Sequence, residues 1–166
     1  MIFTKFNSAF GTTFAAADNG KLCHLWFPGQ KHEPDSSSWA EKNDEPVFTL
    51  LKQQLQEYAE GQRQTFQLPL NPRGTDFQKS VWEALLNISF GEHSSYGVLA
   101  KQLGKPKASR AVGAAVGKNP IGIIIPCHRV LGSTGKLTGF AAGLEMKAQL
   151  LAVEGVLEPE QQALCL

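Results

Sequence analysis

Cysteine is scarce and scattered in this chain: Cys23, Cys127 and Cys165 are an odd number, widely spaced, with no C-x-x-C pair. That argues against a disulfide framework or a closed zinc site, both of which need paired or regularly spaced thiols. Cys23-His24 and Cys127-His128 each set two potential ligands side by side, but no second spaced pair completes either set, so no metal is expected. No apolar run approaches the roughly 18 residues needed to span a bilayer. The opening "MIFTKFNSAFGTTF" lacks the basic start, apolar stretch and small-residue cleavage site of a secretory signal, so a cytoplasmic protein is expected. There is no internal repeat and no G-x-G-x-x-G nucleotide loop. One further absence is local. From His93 to Leu144 there is no Asp or Glu, while Lys101, Lys105, Lys107, Arg110, Lys118, Arg129 and Lys136 all fall there. The first 74 residues are slightly acidic, and the whole chain carries a net charge of only +1. A basic half beside a near-neutral half suits a negatively charged partner, with phosphate backbone the commonest candidate. A solvated basic face accounts for the charge equally well.

What is present supports a packed core: 166 residues, 42% of them hydrophobic, with three tryptophans. "MIFTKF", "TTFAAA" and "KLCHLWF" are short β-favouring runs, and Asn19-Gly20 between the last two suits a two-residue hairpin turn. "GQKHEPDSSSWAEKND" reads as a loop. "EPVFTLLKQQLQEYAEG" places Val47, Leu50, Leu51, Leu55 and Tyr58 at helical spacing, stopped by Gly61, and "TFQLPL" reads as a returning strand. These make an N-terminal α/β domain over residues 1–70, with "NPRGT" as the linker.

From there the pattern is mainly helical. "TDFQKSVWEALLNI" puts Phe77, Val81, Leu85 and Ile88 on one face; "SYGVLAKQLG", "ASRAVGAAVGK" and "GLEMKAQLLAVEG" are three further helices, giving a second domain over 75–155 and a tail over 156–166 that holds Cys165. The expected class is α+β: a small antiparallel-sheet domain with a helix, then a mostly helical domain. Two of the helices meet at Gly104 with helix-turn-helix spacing, which an ordinary helical hairpin shares. The second of the pair is nearly bare, with Ala108, Ala111, Gly113, Ala114, Ala115 and Gly117 leaving its backbone open to close approach. Helix packing explains that too, until Lys107 and Arg110 at its start are counted: a helix N-terminus favours anions, so basic residues there point to phosphate.

"NPIGIIIPCHRVLG" sets Cys127, His128 and Arg129 directly after the most apolar run. A free thiol is roughly 3% ionised at pH 7 and needs local charge, donors or a base to become a useful nucleophile. Unpaired cysteines are more often small core residues. Here Pro126 lacks an N–H and disfavours ladder pairing, His128 titrates near neutrality and Arg129 is permanently charged. Neighbours that polar are costly to bury without partners, so Cys127 reads as lining a pocket.

"IPCHRV", with "RAVGAAVGKNP" before it and "GKLTGFAAGLEMKAQLLAVEG" after it, resembles the O6-alkylguanine-DNA alkyltransferases, the methylated-DNA–protein-cysteine methyltransferases, across Thr75 to Gly155. The N-terminal half matches only in outline. The resemblance implies direct-reversal DNA repair, in which an alkyl group on guanine O6, and on thymine O4, passes to the protein's own cysteine once per molecule. It implies Cys127 as acceptor, His128 relaying its proton through a water with Glu154 polarising the imidazole, Tyr96 donating to guanine N3, and Asn119 tying two turns beneath the thiol. It further implies that Arg110 fills the gap left by a rotated-out nucleotide. The small helix bearing Ala108, Ser109, Ala111 and Ala114 would enter the minor groove, with Lys107 and Arg129 also on DNA. Pro126, Val130, Ser133, Gly139, Phe140 and Ala141 would line the base and alkyl pocket. No cofactor is implied, since the damaged DNA is the donor, and the partner is alkylated double-stranded DNA met by a monomer. Phe140 and Ala142 stand where relatives often carry Tyr and Gly, which removes a hydroxyl. Three rivals compete. A lesion-binding relative without the acceptor thiol is opposed by Cys127; a thiol hydrolase lacks an evident oxyanion motif or third residue; a transcriptional helix-turn-helix protein leaves the thiol loop unexplained.

Overall fold

The computed structural model describes residues 1–157, so Cys165 and most of the expected tail lie outside the described residues. The chain divides into two compact units. The first comprises Met1–Arg73 together with Pro120–Gly122; the second runs from Gly74 to Asn119 and resumes at Ile123. The class is the expected α+β, with an antiparallel sheet toward the N-terminus and mostly helical structure after it.

In the first unit β1 (Ile2–Ser8), β2 (Gly11–Asp18) and β3 (Lys21–Trp26) form an antiparallel meander. A short β4 (Ala40–Glu41) adds in parallel beside β1, giving the order β3-β2-β1-β4. The β2–β3 turn is made by Asn19 (φ 50°) and Gly20 (φ 76°), both in the positive-φ region that a tight two-residue hairpin requires. α1 (Pro46–Ala59) starts with a proline at its first position, where the missing N–H costs nothing, and buries Val47, Phe48, Leu51, Leu55 and Tyr58. Leu50, expected on that face, is instead 44% exposed, and Phe48 takes its place in the core. Spacing alone places both residues near the stripe's edge, and the larger ring gains more by burial.

Two more expectations fail in this unit. β4 lies inside the polar segment read as loop, where two residues of pairing leave no periodic signal. "TFQLPL" does not form a strand; only Leu70 bridges, in parallel, to Leu22. The reason is local. Gln54 of α1 donates to the Gln67 carbonyl at 3.0 Å and accepts from the Gln67 N–H at 2.8 Å, so a side chain satisfies backbone that a ladder would have used. Pro69 has no N–H to offer.

In the second unit α2 (Asp76–Leu86) opens with a capping box. The Thr75 hydroxyl accepts from the Gln78 N–H at 3.1 Å, and the Gln78 side chain accepts from the Thr75 N–H at 3.0 Å. Gly74 is needed just before it, because a Cβ there would sit 2.5 Å from the Trp82 ring. α3 (Tyr96–Gln102), capped by Ser95, and α4 (Ser109–Gly117) pack on each other and on α2. Val81, Trp82 and Leu85 of α2 are buried; Val112, Ala115 and Val116 are the buried side of α4. The Trp82 indole donates to the Ala115 carbonyl at 2.9 Å, closing the α2–α4 contact with a satisfied polar atom. A 3-10 turn over Cys127–Arg129 leads into β6 (Val130–Leu131), which pairs in parallel with β5 (Ser94–Ser95). α5 (Leu144–Val153) completes the unit, and Leu131, Leu137, Ala148 and Leu151 form a small core on which Val156 and Leu157 pack. Those two residues, expected to begin a tail, are therefore part of the packing.

Candidate alkyl-acceptor site

The acceptor segment is built by an interrupted apolar run. Ile121, Ile123, Ile124 and Ile125 are all buried, yet beyond a single bridge at Ile121 they form no strand. Ile123 has φ 69°, the left-handed region that costs a branched residue roughly 1–2 kcal/mol. That kink, followed by Pro126, turns the chain into the 3-10 turn bearing Cys127. Asn119 braces the turn: its amide donates to the Ile125 carbonyl at 2.8 Å, and its side chain also reaches the Cys127 sulfur.

Cys127 is buried but not sealed, at 8% exposure. Burial pushes its thiol up from the ordinary value. Against that, the Asn119 side chain, the Lys147 ammonium and the backbone N–H groups of Cys127 and His128 all favour the thiolate. His128 is fully buried, and burial lowers its pKa despite the opposing pull of Glu154. Its Nε2 lies 2.6 Å from Glu154 Oε2. A carboxylate only accepts, so Nε2 carries the hydrogen and Nδ1 presents a lone pair. Among the described residues Nδ1 has no protein hydrogen-bond partner.

Arg129 requires a correction. Expected at a DNA surface, it is 7% exposed, and its guanidinium is committed inward. Nε donates to Glu154 Oε1 at 2.7 Å, one Nη to Glu154 Oε2 at 3.0 Å and the other to the Ile88 carbonyl at 2.6 Å. Three of the five guanidinium donors are thus held by partners inside the protein, and the buried group is not displayed as a surface contact for phosphate. The Gly91 N–H also approaches Glu154 Oε1, at 3.4 Å. Glu154, at the C-cap of α5, thus gathers His128 and Arg129 through one carboxylate.

The other sequence-derived residues fall into two groups. Arg110, Ala111 and Ala114 are exposed on one side of α4; Lys107 just before it is exposed, and Ala108 and Ser109 are half-buried. Of the expected pocket residues, Pro126 and Val130 are buried, Phe140 and Ala141 half-buried, and Gly139 exposed. Ser133 is also exposed, on a turn closed by the Gly135 N–H donating to the Gly132 carbonyl at 2.8 Å. Tyr96, at the first position of α3, donates its hydroxyl to the Thr138 carbonyl at 3.3 Å. Its ring lies against Gly113 of α4 and its hydroxyl near Gly139.

One residue escaped the sequence reading. Lys147 is fully buried on α5, where its Nζ donates to the carbonyls of Val130 (2.5 Å), Thr138 (2.7 Å) and Gly139 (3.3 Å). The available signal was its register: Lys147 lies three and four residues before Leu150 and Leu151, on the apolar face. Among the described residues no group of three His, Cys, Asp or Glu side chains converges to hold a metal, and no helix is long and apolar enough to cross a membrane.

Comparison with known proteins covers nearly the whole chain. Residues 76–156 match the family model described as 6-O-methylguanine DNA methyltransferase, DNA binding domain, and residues 1–72 match 6-O-methylguanine DNA methyltransferase, ribonuclease-like domain. A Methanosarcina acetivorans methylated-DNA–protein-cysteine methyltransferase is 47% identical over 93% of this chain and 99% of its own length. The Haemophilus influenzae protein of the same name is 41% identical over 94% of this chain and 87% of its own. Among solved structures, Mycobacterium tuberculosis OGT in complex with DNA superposes with a TM-score of 0.88 at 42% identity, covering 93% of both chains. This chain belongs to the 6-O-methylguanine DNA methyltransferase family.

Proposed function

We infer that the protein is a methylated-DNA–protein-cysteine methyltransferase, which repairs DNA by moving the alkyl group of O6-alkylguanine to Cys127. The observation that carries this reading is the hydrogen-bonded run from Glu154 to His128 beside Cys127, at 2.6 Å, in a chain of this family. In the proposed reaction His128 Nδ1, through a water, accepts the thiol proton while Nε2–H remains on Glu154. The sulfur lone pair attacks the alkyl carbon; the S–C bond forms as the C–O6 bond breaks, and its electron pair passes to guanine. Tyr96 donates a proton to guanine N3, and solvent returns one to Tyr96. Charge that develops on the leaving base is thus met by a donor placed beforehand. The thioether product has no route back, so each molecule acts once.

DNA is the partner, and its finer geometry is our proposal. α4 enters the minor groove, whose narrow width suits the exposed Ala111 and Ala114. Arg110 fills the space of a nucleotide rotated out, a step made cheaper by the poor pairing of an alkylated base. Asn119 holds the acceptor turn, the 126–141 segment receives the base, thymine O4 lesions are also accepted, and the protein acts as a monomer. Residues 1–70 serve as an α/β scaffold domain and 75–155 as the acceptor domain.

The test is stoichiometric. Incubated with an equimolar duplex carrying labelled O6-methylguanine, the protein gains one methyl on Cys127, the reaction stops at one equivalent, and Cys127→Ala gains none. Multiple turnovers, or label on another residue, would reject the reading.

A further inference from the structure

The mechanism above uses the thiol but leaves open how the backbone brings it into place. Three non-glycine residues among those described have positive φ: Asn19, His32 and Ile123. Asn19 and His32 are exposed, and both are residue types that enter this region readily. Ile123 is the exception, a branched residue at φ 69° that is only 1% exposed and stands four residues before Cys127. Such strain persists only where the surroundings over-determine it, and it gathers at functional sites. The chain is fixed on both sides of the kink. Before it, the Leu25 N–H donates to the Pro120 carbonyl at 2.9 Å, and the Gly122 N–H donates to the Leu25 carbonyl at 3.2 Å. After it, the Ile125 carbonyl takes two donors, the Asn119 amide at 2.8 Å and the Cys127 N–H at 2.8 Å. The second of these closes an inverse γ-turn around Pro126, whose φ and ψ are −81° and 63°. Only residues 123 and 124 separate the two fixed stretches, and the left-handed step at Ile123 closes the loop that returns Ile125 to Asn119.

We propose that Ile123 is a positioning residue for alkyl transfer: its left-handed backbone, held by its buried side chain, aims the Ile125 carbonyl at Asn119 and so sets where the Cys127 sulfur stands. The inference rests on the acceptor role given to Cys127 above. The route from kink to sulfur is short. Burial raises the Cys127 pKa, and the Asn119 side chain and the backbone N–H groups of Cys127 and His128 oppose that rise. Asn119 is the side chain that also holds Ile125. A return to negative φ at residue 123 swings the Ile125 carbonyl off Asn119 and withdraws these donors from the sulfur together. The Lys147 ammonium, which also favours the thiolate, sits on α5 and is untouched by the kink. Burial of the isoleucine side chain supplies the apolar contact that offsets the backbone cost.

The experiment compares Ile123→Gly with Ile123→Ala. Both remove nearly the same side chain, but glycine takes positive φ freely whereas alanine resists it. Ile123→Gly is therefore expected to melt at the higher temperature of the two. At Ile124, which is not at positive φ, the order reverses and the alanine variant melts higher. Function follows the backbone. Cys127 is tracked by peptide mass spectrometry, which separates it from Cys23 and Cys165, during iodoacetamide labelling across pH 6–10 and during methyl transfer from an O6-methylguanine duplex. In Ile123→Ala the labelling midpoint rises by about one pH unit and transfer at pH 7.5 falls by about tenfold, with duplex affinity unchanged. Ile123→Gly stays nearer the wild type in both. A residue that only fills space would rank the variants the other way, since glycine leaves the larger cavity, and would leave the midpoint unmoved; either result overturns the proposal. Equal transfer in the two variants overturns the positioning role even where the melting order holds. Should neither variant fold, the wild type is measured by NMR. A strong amide-to-Hα contact within Ile123, which positive φ brings close, upholds the left-handed step, and a weak one sinks the proposal. If wild-type Cys127 accepts no methyl at all, the function fails, yet the melting order and the labelling midpoints still report on Ile123.

Discussion

At the residue scale, the carboxylate of Glu154 has two duties that mutation separates. It orients His128 and it balances Arg129, and both pairs have no exposed surface on the Glu154 side chain. Removing one partner of a buried pair leaves an uncompensated charge, at a cost of about 3–5 kcal/mol. Glu154→Ala is expected to lower the melting temperature severely and abolish transfer. Glu154→Gln keeps the side chain's volume and one acceptor oxygen, losing the bonds accepted by the other, so it should fold better than the alanine variant while still losing transfer, because a neutral amide stabilises the developing imidazolium less. Thermal melts beside single-turnover rates check both; wild-type transfer in Glu154→Gln would remove Glu154 from the relay. Arg110 is the contrasting case. It is exposed, so Arg110→Ala should leave the folding free energy within about 0.5 kcal/mol of wild type. Repair of duplex DNA should fall far more than reaction with free O6-methylguanine, and equal losses would exclude the finger role.

At the scale of elements, the sequence was most legible where a signal is local and periodic. Asn19-Gly20 and the glycines at 61 and 104 each act within a few residues, so the hairpin and these two helix ends could be read directly. The misses came from tertiary partners. Nothing near Gln67 announces that Gln54 will take its backbone, and nothing near Arg129 announces Glu154, 25 residues away. The same reasoning accounts for Lys147, whose carbonyl partners come from three separate residues of other segments. The site's Cys127-His128 core was legible because it is contiguous, and Glu154 entered through the family resemblance; the inward bonds of Arg129 and Lys147 were not legible. Gly74 offers a test at this scale. A Cβ there meets the Trp82 ring at 2.5 and 2.8 Å, and Trp82 is itself held by Ala115, so Gly74→Ala should destabilise by about 1–3 kcal/mol. An unchanged melting temperature would show that the ring moves aside freely.

For the whole molecule, pH and salt act through different groups. His24, packed between Trp26 and Trp39, is lowered to about 4 by burial and by the charge of Arg73. His128 is lowered too. A folded-state pKa below the unfolded value means that the unfolded chain binds more protons, so stability falls as pH drops from about 6.5 toward 4 and is unaffected by these groups above that window. Melts between pH 5 and 7 should show this slope, and His24→Gln should flatten part of it, leaving the share of His128. Salt acts on association instead. The exposed Lys101, Lys105, Lys107 and Arg110 lie on or beside α3 and α4, so DNA affinity should fall steeply with ionic strength, with the slope reduced by about one in Arg110→Ala if that residue meets a phosphate.

The division of the chain at Pro120–Gly122 carries a consequence for its modularity. Leu25 N–H donates to the Pro120 carbonyl at 2.9 Å, the Gly122 N–H donates back to the Leu25 carbonyl at 3.2 Å, and Ile121 is wholly buried in the first unit. A gene cut cleanly at residue 73 would strand that isoleucine in the wrong fragment, unroofed, while leaving an empty notch beside Leu25. The first unit takes three residues from beyond its own contiguous run, so shuffling halves between relatives calls for matched residues at those three positions.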